Sequence, residues 1–393
     1  MEPIYLDHAA TTPLAPEVLQ AMMPHLQSAY GNASSVHQMG RQARFAVEES
    51  RETVAECLNA EPAEIIFTSG GTESDNYAIK GALATRQNSG RTGLITSAAE
   101  HEAVLRPAER LQGDHPVTIL TPDEHGAVTP AQLEAVLQEV DPSTIALVSL
   151  MHANNEIGTL TRIREIADIC HEHDIWLHCD AVQTAGLLGV DVKDLDVDLL
   201  SLSSHKFYGP KGTGGLYVSG GIDLRALVEG GSQERDRRGG TENVPGVVGM
   251  AEALKKATTS SAERVEKIRS LQQHLIDGIR SDVDGPLLFN TPVDTPSEAA
   301  PHIVNVSFPP DGGAPIDGEM LILNLDMKGI MVSAGSACTS GAMEPSHVLS
   351  AIGRDRETAS AAVRFSLGIS NTADDVNRAV EALSETIQRM RRR

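Results

Sequence analysis

The 393-residue sequence contains no uninterrupted apolar run near the roughly 18 residues that a membrane-spanning helix needs. Its first residues lack the basic segment followed by an apolar segment that marks a secretory signal. Positive charge is also scarce: 32 lysines and arginines stand against 54 acidic residues, which gives a formal net charge of −22. This balance disfavours a surface that binds nucleic acid. We therefore predict a cytoplasmic protein with no direct membrane or nucleic-acid partner.

Cysteine is scarce as well. The four cysteines form no Cys-x-x-Cys pair and no zinc-like spacing, so we predict no metal site. Cys57 and Cys170 fall within amphipathic helical patterns and Cys179 within an apolar strand pattern, which predicts three core thiols. Cys338 lies in the small, polar run Ser-Ala-Gly-Ser-Ala-Cys-Thr-Ser-Gly (333–341), which predicts an exposed loop. A reduced thiol there is either incidental or a nucleophile.

Strand-like and helical patterns alternate from about residue 60 to residue 250. Apolar residues at 163, 166, 167 and 170, for example, predict a helix over Ile163–His171. Such alternation predicts an α/β architecture with a mostly parallel, doubly wound sheet, in which ligands bind beyond the carboxyl ends of the strands. The predicted strands are Ile65–Thr68, Leu94–Ser97, Val117–Leu120, Ile145–Ser149, Ile175–Cys179, Leu199–Ser203 and Gly215–Val218.

The pattern changes after Thr258. Apolar residues at helical spacing predict one long helix over 265–279 and a final helix that opens with a capping box at 372–375. Between them lie a loop-like segment at 308–315 and three strand-like runs, Ile303–Phe308, Ile330–Ser333 and Ala362–Ser366. This part of the chain predicts a smaller α+β domain.

Two charged residues follow predicted core strands. Lys206 comes shortly after the apolar run 197–202 and before a Gly/Pro turn, and Asp180 directly follows the run 175–179. A lysine in this position is usually a surface residue whose stem packs against apolar neighbours. Desolvation would instead lower its pKa and suit it to form a Schiff base, while a nearby carboxylate can keep a pyridine nitrogen protonated. The pair predicts a site for pyridoxal 5′-phosphate (PLP).

Phosphate-binding groups can be predicted around this pair. The run Phe67-Thr-Ser-Gly-Gly-Thr-Glu-Ser-Asp-Asn76 leads from a strand into a helix, where backbone N–H groups and the Thr72 hydroxyl can bind an anion. Alone, it would be an ordinary strand–helix turn. Ser203 and His205 flank the lysine and offer further donors. Gly239-Gly240-Thr241 is another glycine-led donor cluster, although a plain loop also explains it.

Three more polar residues fit the same edge of the sheet. His101 follows a strand and opens a helix, where an imidazole could stack on a flat ring and exchange protons, or simply start the helix. Asn155 lies just beyond the strand 145–149. Arg364 places a guanidinium in an apolar strand, either as a structural ion pair or as a clamp on a substrate carboxylate.

With these residues assembled, the chain resembles the cysteine desulfurases of the class V aminotransferase family, which are PLP enzymes of fold-type I. The run Gly-Ser-Ala-Cys-Thr-Ser at 335–340 is similar to the subgroup with a long, flexible cysteine loop, which serves iron–sulfur cluster assembly, nitrogenase maturation or tRNA thiolation. The matching runs cover nearly the whole chain. They are 5–12, 31–37, 68–76, 100–101, 151–158, 180–183, 204–212, 238–241, 333–340 and 364–368.

The resemblance implies how the chain is divided. It implies a large PLP-binding domain over 14–257, built on a mostly parallel seven-stranded sheet with helices on both faces. It also implies a smaller α+β domain, formed by 1–13 and 258–393, that carries the cysteine loop.

The resemblance implies roles around the cofactor. Lys206 holds it as a Schiff base and moves the α-proton, and Asp180 pairs with the pyridinium nitrogen. Gln183 contacts the ring hydroxyl, and His101 stacks on the ring and assists proton transfer. Phosphate binding is implied for Gly71, Thr72, Ser203, His205 and, from the second subunit of a homodimer, Thr241.

Substrate roles follow from the same resemblance. Asn155, which also borders the cofactor, and Arg364 orient the carboxylate of L-cysteine, and Cys338 takes the sulfur as a persulfide. The sequence thus predicts a cysteine desulfurase that releases L-alanine and supplies a sulfur-acceptor protein, such as an iron–sulfur scaffold or a tRNA-thiolation protein. The alternatives are a selenocysteine lyase, a PLP-bound sulfur-transfer scaffold with little turnover, and an aminotransferase, which would leave the Cys338 loop without a purpose. The acceptor and the role of the long segment 309–317 stay open.

Overall fold

The computed structural model describes residues 2–334 and 345–392. The strands over these residues are β1 (Ile4–Tyr5), β2 (Ile65–Thr68), β3 (Gly93–Ser97), β4 (Val117–Leu120), β5 (Ile145–Met151), β6 (Trp176–Asp180), β7 (Leu199–Ser203), β8 (Gly214–Val218), β9 (Leu288–Phe289), β10 (Ile303–Ser307), β11 (Ile330–Met331) and β12 (Ala362–Ser366). The helices are α1 (Pro16–Gln27), α2 (Gln38–Leu58), α3 (Gly71–Arg86), α4 (Glu102–Leu111), α5 (Pro130–Glu139), α6 (Ile163–Glu172), α7 (Val192–Leu195), α8 (Val244–Thr259), α9 (Ser261–Asp282), α10 (Gly318–Met327), α11 (His347–Ala351), α12 (Arg356–Ser360) and α13 (Ala373–Arg391).

Seven of the described strands form one sheet in the order β2-β8-β7-β6-β5-β3-β4. Neighbouring strands are parallel, except that β8 runs antiparallel to both β2 and β7. The seven predicted strands are confirmed, with ends that differ by at most two residues. Asp180 is the last residue of β6 and pairs with Met151 and Ser201 of the neighbouring strands. The carboxyl ends of the central strands therefore meet around Asp180.

Helices cover both faces of this sheet, because alternate strand residues point to opposite sides. Ile65 and Phe67 belong to one apolar cluster, whereas Ile66 belongs to another. The first cluster contains side chains of α2, α5, α6 and α8, and the second contains side chains of α3 and α4. The predicted doubly wound α/β fold is confirmed.

The C-terminal part forms two smaller sheets in the described chain. One is antiparallel in the order β12-β10-β9, and the other pairs β1 with β11 in parallel. The predicted strand at 330–333 is too long: β11 ends at Met331 because β1 supplies only two pairing residues, and Ser333 forms an isolated bridge with Arg364. The predicted loop over 308–315 and the capping box between Thr372 and Asp375 are confirmed.

The apolar clusters separate along the chain. The cluster on one face of the large sheet draws its buried residues from Val18 to Ala257. The cluster of the smaller part contains Ile4, Leu6 and residues from Ile268 to Ile387. This distribution supports the division that we propose, a large domain over 14–257 and a small domain formed by 1–13 and 258–393.

The cysteines are placed differently from one another. Cys170 and Cys179 are buried, as predicted, and burial raises the pKa of both thiols. The prediction that Cys57 is a core thiol is confirmed only in part, because Cys57 packs against the core but is half-buried and lies beside Thr258 near the end of α8. Cys338 lies outside the described residues. Within 2–334 and 345–392, every helix is too short or too polar to cross a membrane.

Candidate active site

A cavity of about 660 Å³ opens beyond the carboxyl ends of the central strands. It brings together ten of the residues that the sequence predicts to be functional. They are Gly71, Thr72, His101, Asn155, Asp180, Gln183, Ser203, His205, Lys206 and Arg364. Of the other two, Cys338 lies outside the described residues, and Thr241 is exposed and absent from the described lining.

Lys206 ends a single 3-10 turn that directly follows β7. Its Nζ donates hydrogen bonds to the carbonyl oxygens of Ala9, at 2.5 Å, and Ala10, at 2.9 Å. Burial and, after it, the positive charge of Arg364 lower the pKa of Lys206 to about 8, while Asp180 and Asp7 act in the opposite direction. About a tenth of the amine is therefore neutral and nucleophilic at pH 7, far more than for a lysine of ordinary pKa.

Asp180 is the last residue of β6, which is the middle strand of the seven-stranded sheet. Its Oδ1 accepts a hydrogen bond from the Val182 backbone N–H at 2.9 Å, which orients the carboxylate. Burial raises the pKa of Asp180, whereas the charges of His101 and Lys206 lower it. A buried carboxylate in this position is suited to pair with a cationic nitrogen of a ligand. The ligand's charge would offset the free energy that the carboxylate loses when burial removes its hydration.

The start of α3 offers donors for an anion. Gly70 precedes the helix with φ 150° and ψ −179°, a conformation that is essentially restricted to glycine. The first N–H groups of a helix have no carbonyl partner within the helix and favour negative charge. Thr72, Ser203 and Lys211 line the same cavity. This donor set fits a phosphate group.

His205 and His101 are fixed by hydrogen bonds at their Nδ1 atoms. The His205 Nδ1 lies 3.1 Å from the Thr11 hydroxyl, and burial, followed by the charges of Lys206 and Lys211, lowers the pKa of His205 to about 4. His101 is the N-cap of α4, and its Nδ1 accepts from the Ala103 N–H at 3.1 Å. That bond leaves the Nε2 of His101 as the atom that can interact with a ligand in the cavity.

Arg364 lies on β12 and is held from two sides. Its Nη1 donates to the backbone oxygen of Asn155 at 2.9 Å, and its Nη2 donates to Asp7 Oδ1 at 2.8 Å. Its buried Nε finds no hydrogen-bond partner among the residues that the structure describes. The two Nη atoms each keep a second N–H, and an oriented guanidinium at a cavity wall is suited to bind a carboxylate. The backbone of Arg364 also pairs with Ser333, which precedes Cys338 in the chain.

Several residues around the cavity were missed from the sequence. Asp75, on α3, is fully buried, and burial followed by the charge of Asp180 raises its pKa. Glu73 forms a bidentate ion pair with Arg238, at 2.8 and 3.1 Å, which ties the start of α3 to the loop before Thr241. Asp7 and Ala9 lie within the run 5–12, which resembles the family but received no role. Only that resemblance could have indicated them, because their partners are far away in sequence.

Taken together, the lining fits PLP on the structure alone. The cavity combines a buried lysine of lowered pKa, a buried carboxylate, a set of anion donors at a helix start and a guanidinium oriented by two hydrogen bonds. Over the described ranges no cluster of three or more His, Cys, Asp or Glu side chains could hold a metal ion.

Comparison with known proteins identifies the family of the chain. Residues 4–379 match the model of the aminotransferase class-V family, and the chain belongs to that family. It is 45% identical over 389 residues to the cysteine desulfurase IscS of Dictyoglomus turgidum, an alignment that covers 99% of this chain and 95% of the relative. It is 44% identical over 392 residues to the putative cysteine desulfurase IscS 1 of Bacillus subtilis, covering 99% and 100%.

A solved structure of a NifS-like protein matches the fold with a TM-score of 0.88 and 35% identity, covering 98% of this chain and 99% of that chain. The resemblance that the sequence motifs indicate, to cysteine desulfurases among class V aminotransferases, is thereby confirmed.

Proposed function

We propose that the protein is a PLP-dependent cysteine desulfurase, which converts L-cysteine to L-alanine and takes the sulfur onto Cys338 as a persulfide. The observation that carries the proposal is the convergence of Lys206, Asp180 and Arg364 on one cavity. The full-length similarity to proteins named cysteine desulfurase supports the same activity.

Each residue has a task in holding the cofactor. Lys206 would bind the aldehyde carbon, Asp180 the ring nitrogen, and the start of α3 with Ser203 and His205 the phosphate. PLP, when bound, withdraws electrons from the substrate α-carbon and so makes its proton acidic. His101 lies at the helix start that borders the ring site, where its Nε2 can exchange a proton.

The substrate is oriented by its carboxylate. Arg364 is fixed by Asp7 and Asn155, so it can receive the carboxylate of an amino acid without first reorganising its own side chain. Lys206, once released as a free amine, lies in the same cavity and can take the α-proton. Its pKa of about 8 suits a group that must both accept and return a proton near neutral pH.

The sulfur transfer balances without an added oxidant. The thiolate of Cys338 attacks the sulfur of the bound cysteine, so that the substrate C–S bond breaks and an S–S bond forms. The electron pair of the broken bond stays with the substrate, whose β-carbon then gains a proton. The net result is L-alanine and a persulfide on Cys338.

We also propose a homodimer, in which Thr241 of each subunit reaches the other subunit's phosphate site. Thr241 is exposed, and Arg238 nearby is anchored to Glu73. Large apolar side chains are exposed on α1, on α2 and between them, which is typical of a surface that another subunit covers. They include Leu26 at 54% exposure, Tyr30 at 73%, Val36 at 84% and Phe45 at 69%.

The persulfide requires an acceptor protein, and we propose one that assembles iron–sulfur clusters or thiolates tRNA. The names of the relatives support a role in iron–sulfur assembly. A cytoplasmic location stays a prediction, which fractionation of the source cells would test.

The activity can be tested on the PLP-loaded protein with L-cysteine and a thiol reductant, by measuring alanine, sulfide and pyruvate. We expect equimolar alanine and sulfide, and loss of both in Lys206→Ala. Lys193→Ala, a change at an exposed lysine of α7, should retain them. Pyruvate as the main product, or a requirement for an α-keto acid, would reject the proposal in favour of another reaction of the family.

A further inference from the structure

Gln183 forms a wall between two cavities. On one side is the 660 Å³ cavity of the candidate active site. On the other side is a small cavity of about 30 Å³, which His302, His8 and Lys206 also line. Gln183 and His302 are both buried, with 9% and 6% of their surface exposed. The side chain behind Gln183 can therefore control how its amide faces the active site.

The orientation of the Gln183 amide follows from its two hydrogen bonds. Its Nε2 donates to the carbonyl oxygen of Ala9 at 3.0 Å, and only a donor can satisfy that oxygen. Its Oε1 then faces His302 Nε2, at 3.2 Å. Because an amide oxygen can only accept, His302 must carry its proton on Nε2.

His302 is suited to stay in this one tautomer. Burial and, after it, the nearby Arg364 lower its pKa to about 3, with smaller contributions from His8 and Lys206, so the ring is neutral at physiological pH. Its buried Nδ1 has no hydrogen-bond partner among the described residues. The adjacent cavity has room for about one or two water molecules.

We propose that His302 is a positioning residue that holds the Gln183 amide with its nitrogen toward the active-site cavity. The second hydrogen of Gln183 Nε2 is then available to the ring oxygen of bound PLP, and Gln183 acts as a donor to that oxygen, not as an acceptor from it. The inference deepens the proposed function and rests on it for the identity of the ligand. It also joins His302 to the catalytic lysine, because Ala9 O accepts from both Gln183 and Lys206.

The consequence is electrostatic. A hydrogen-bond donor to the ring oxygen stabilises the deprotonated form of that oxygen. The oxygen then forms a weaker internal hydrogen bond to the proton on the lysine nitrogen, so this proton is lost more easily. Without the His302 N–H, Gln183 Oε1 would be buried without a donor, and the amide would gain by turning its oxygen toward the ring hydroxyl. The lysine-bound cofactor would then keep its proton to higher pH.

Two variants of similar size separate this role from a packing role. His302→Gln can place an N–H near the position of Nε2, whereas His302→Met fills the same space without a donor. The visible absorbance of each PLP-loaded protein is titrated with pH. We expect the titration midpoint of His302→Met to rise by about one unit, the effect of one hydrogen bond to a charged oxygen, and that of His302→Gln to stay near wild type. Equal midpoints in all three proteins, or equal shifts in both variants, would overturn the proposal.

A second measurement needs neither cofactor nor turnover, so it stays decisive if the proposed activity fails or if His302→Met does not fold. Long-range proton–nitrogen NMR spectra of the cofactor-free, 15N-histidine-labelled protein report the tautomer of each ring, and the His302→Gln spectrum assigns His302. We expect a neutral ring protonated on Nε2 from about pH 5 to pH 8. A ring protonated on Nδ1, or one that titrates in this range, would contradict the inference. A correct tautomer with no alanine formation would instead reject the proposed function alone.

Discussion

Lys206 Nζ lies 2.5 Å from the carbonyl oxygen of Ala9, a residue from the very beginning of the described chain. Thr12 reinforces this junction, since both its backbone N–H and its hydroxyl donate to the carbonyl oxygen of His205. The segment that follows β1 therefore forms one side of the site and holds the lysine.

The first prediction concerns the pH dependence of PLP uptake. Burial and then the charge of Arg364 lower the pKa of Lys206 to about 8, so the neutral amine accumulates as pH rises through that value. The rate at which the cofactor-free protein binds PLP, followed by stopped-flow absorbance, should rise with a midpoint near pH 8. Arg364→Gln removes a cation and should move the midpoint upward. A wild-type midpoint near 10.5 would show that the lysine is not perturbed.

The same shift predicts a cost in stability. Holding the charged amine of Lys206 in the folded protein lowers the free energy of unfolding. This penalty is fully present below about pH 8, where the amine is charged in both states. It is lost as pH rises toward 10.5, because the folded protein then binds fewer protons than the unfolded chain. Lys206→Met should therefore stabilise the cofactor-free protein at pH 7 by on the order of 2 kcal/mol, with a smaller difference at pH 10. Urea unfolding at both pH values measures it. A less stable variant at pH 7 would refute this reading of the site.

Asp7 should act on the substrate through Arg364. The side chains of the pair are only 22% and 5% exposed, so their charges are weakly screened. Asp7→Asn removes the charge that holds the guanidinium and should raise KM for L-cysteine by about 10-fold, with a smaller change in kcat. Asp168→Asn breaks a pair whose side chains are about half exposed and should leave both constants unchanged. An unaltered KM in Asp7→Asn would exclude the positioning role.

Gly70 should be required for the conformation of the phosphate site. A Cβ at this residue would meet only the Ser203 hydroxyl, at 3.8 Å, so the effect of Gly70→Ala comes from the backbone conformation and not from a clash. Strain on the order of 1–3 kcal/mol should weaken PLP affinity by about 10-fold or more. Gly113→Ala adds a Cβ that meets nothing within 4 Å and serves as the control. Equilibrium binding of PLP to the two variants measures the difference, and equal affinities would contradict the prediction.

The sequence predicts the site residues that a local pattern identifies, but it does not predict which distant residues pair with them. Lys206 and Asp180 could be predicted because each follows an apolar strand, and carboxyl ends of parallel strands share one edge of a sheet. Arg364 could be predicted because a cation in an apolar strand is unusual. The pairing of Asp7 with Arg364, and of Gln183 with His302, could not be predicted, since nothing in the local sequence of either partner specifies the other.

The errors have the same origin. The strand at 330–333 was predicted from its own apolar residues, whereas its length is limited by the two residues that β1 offers. Cys57 was predicted to be in the core from helical spacing, whereas its exposure depends on where α2 passes the end of α8. In both cases the tertiary neighbour decides what the local pattern leaves open.

The most direct test of the account compares wild type with Cys338→Ala, both loaded with PLP and supplied with L-cysteine. We predict that wild type releases equimolar alanine and sulfide in the presence of a thiol reductant, and that Cys338→Ala releases neither while retaining the cofactor's visible absorbance. Full turnover by Cys338→Ala would contradict the central claim, because sulfur would then leave the substrate without passing through a Cys338 persulfide.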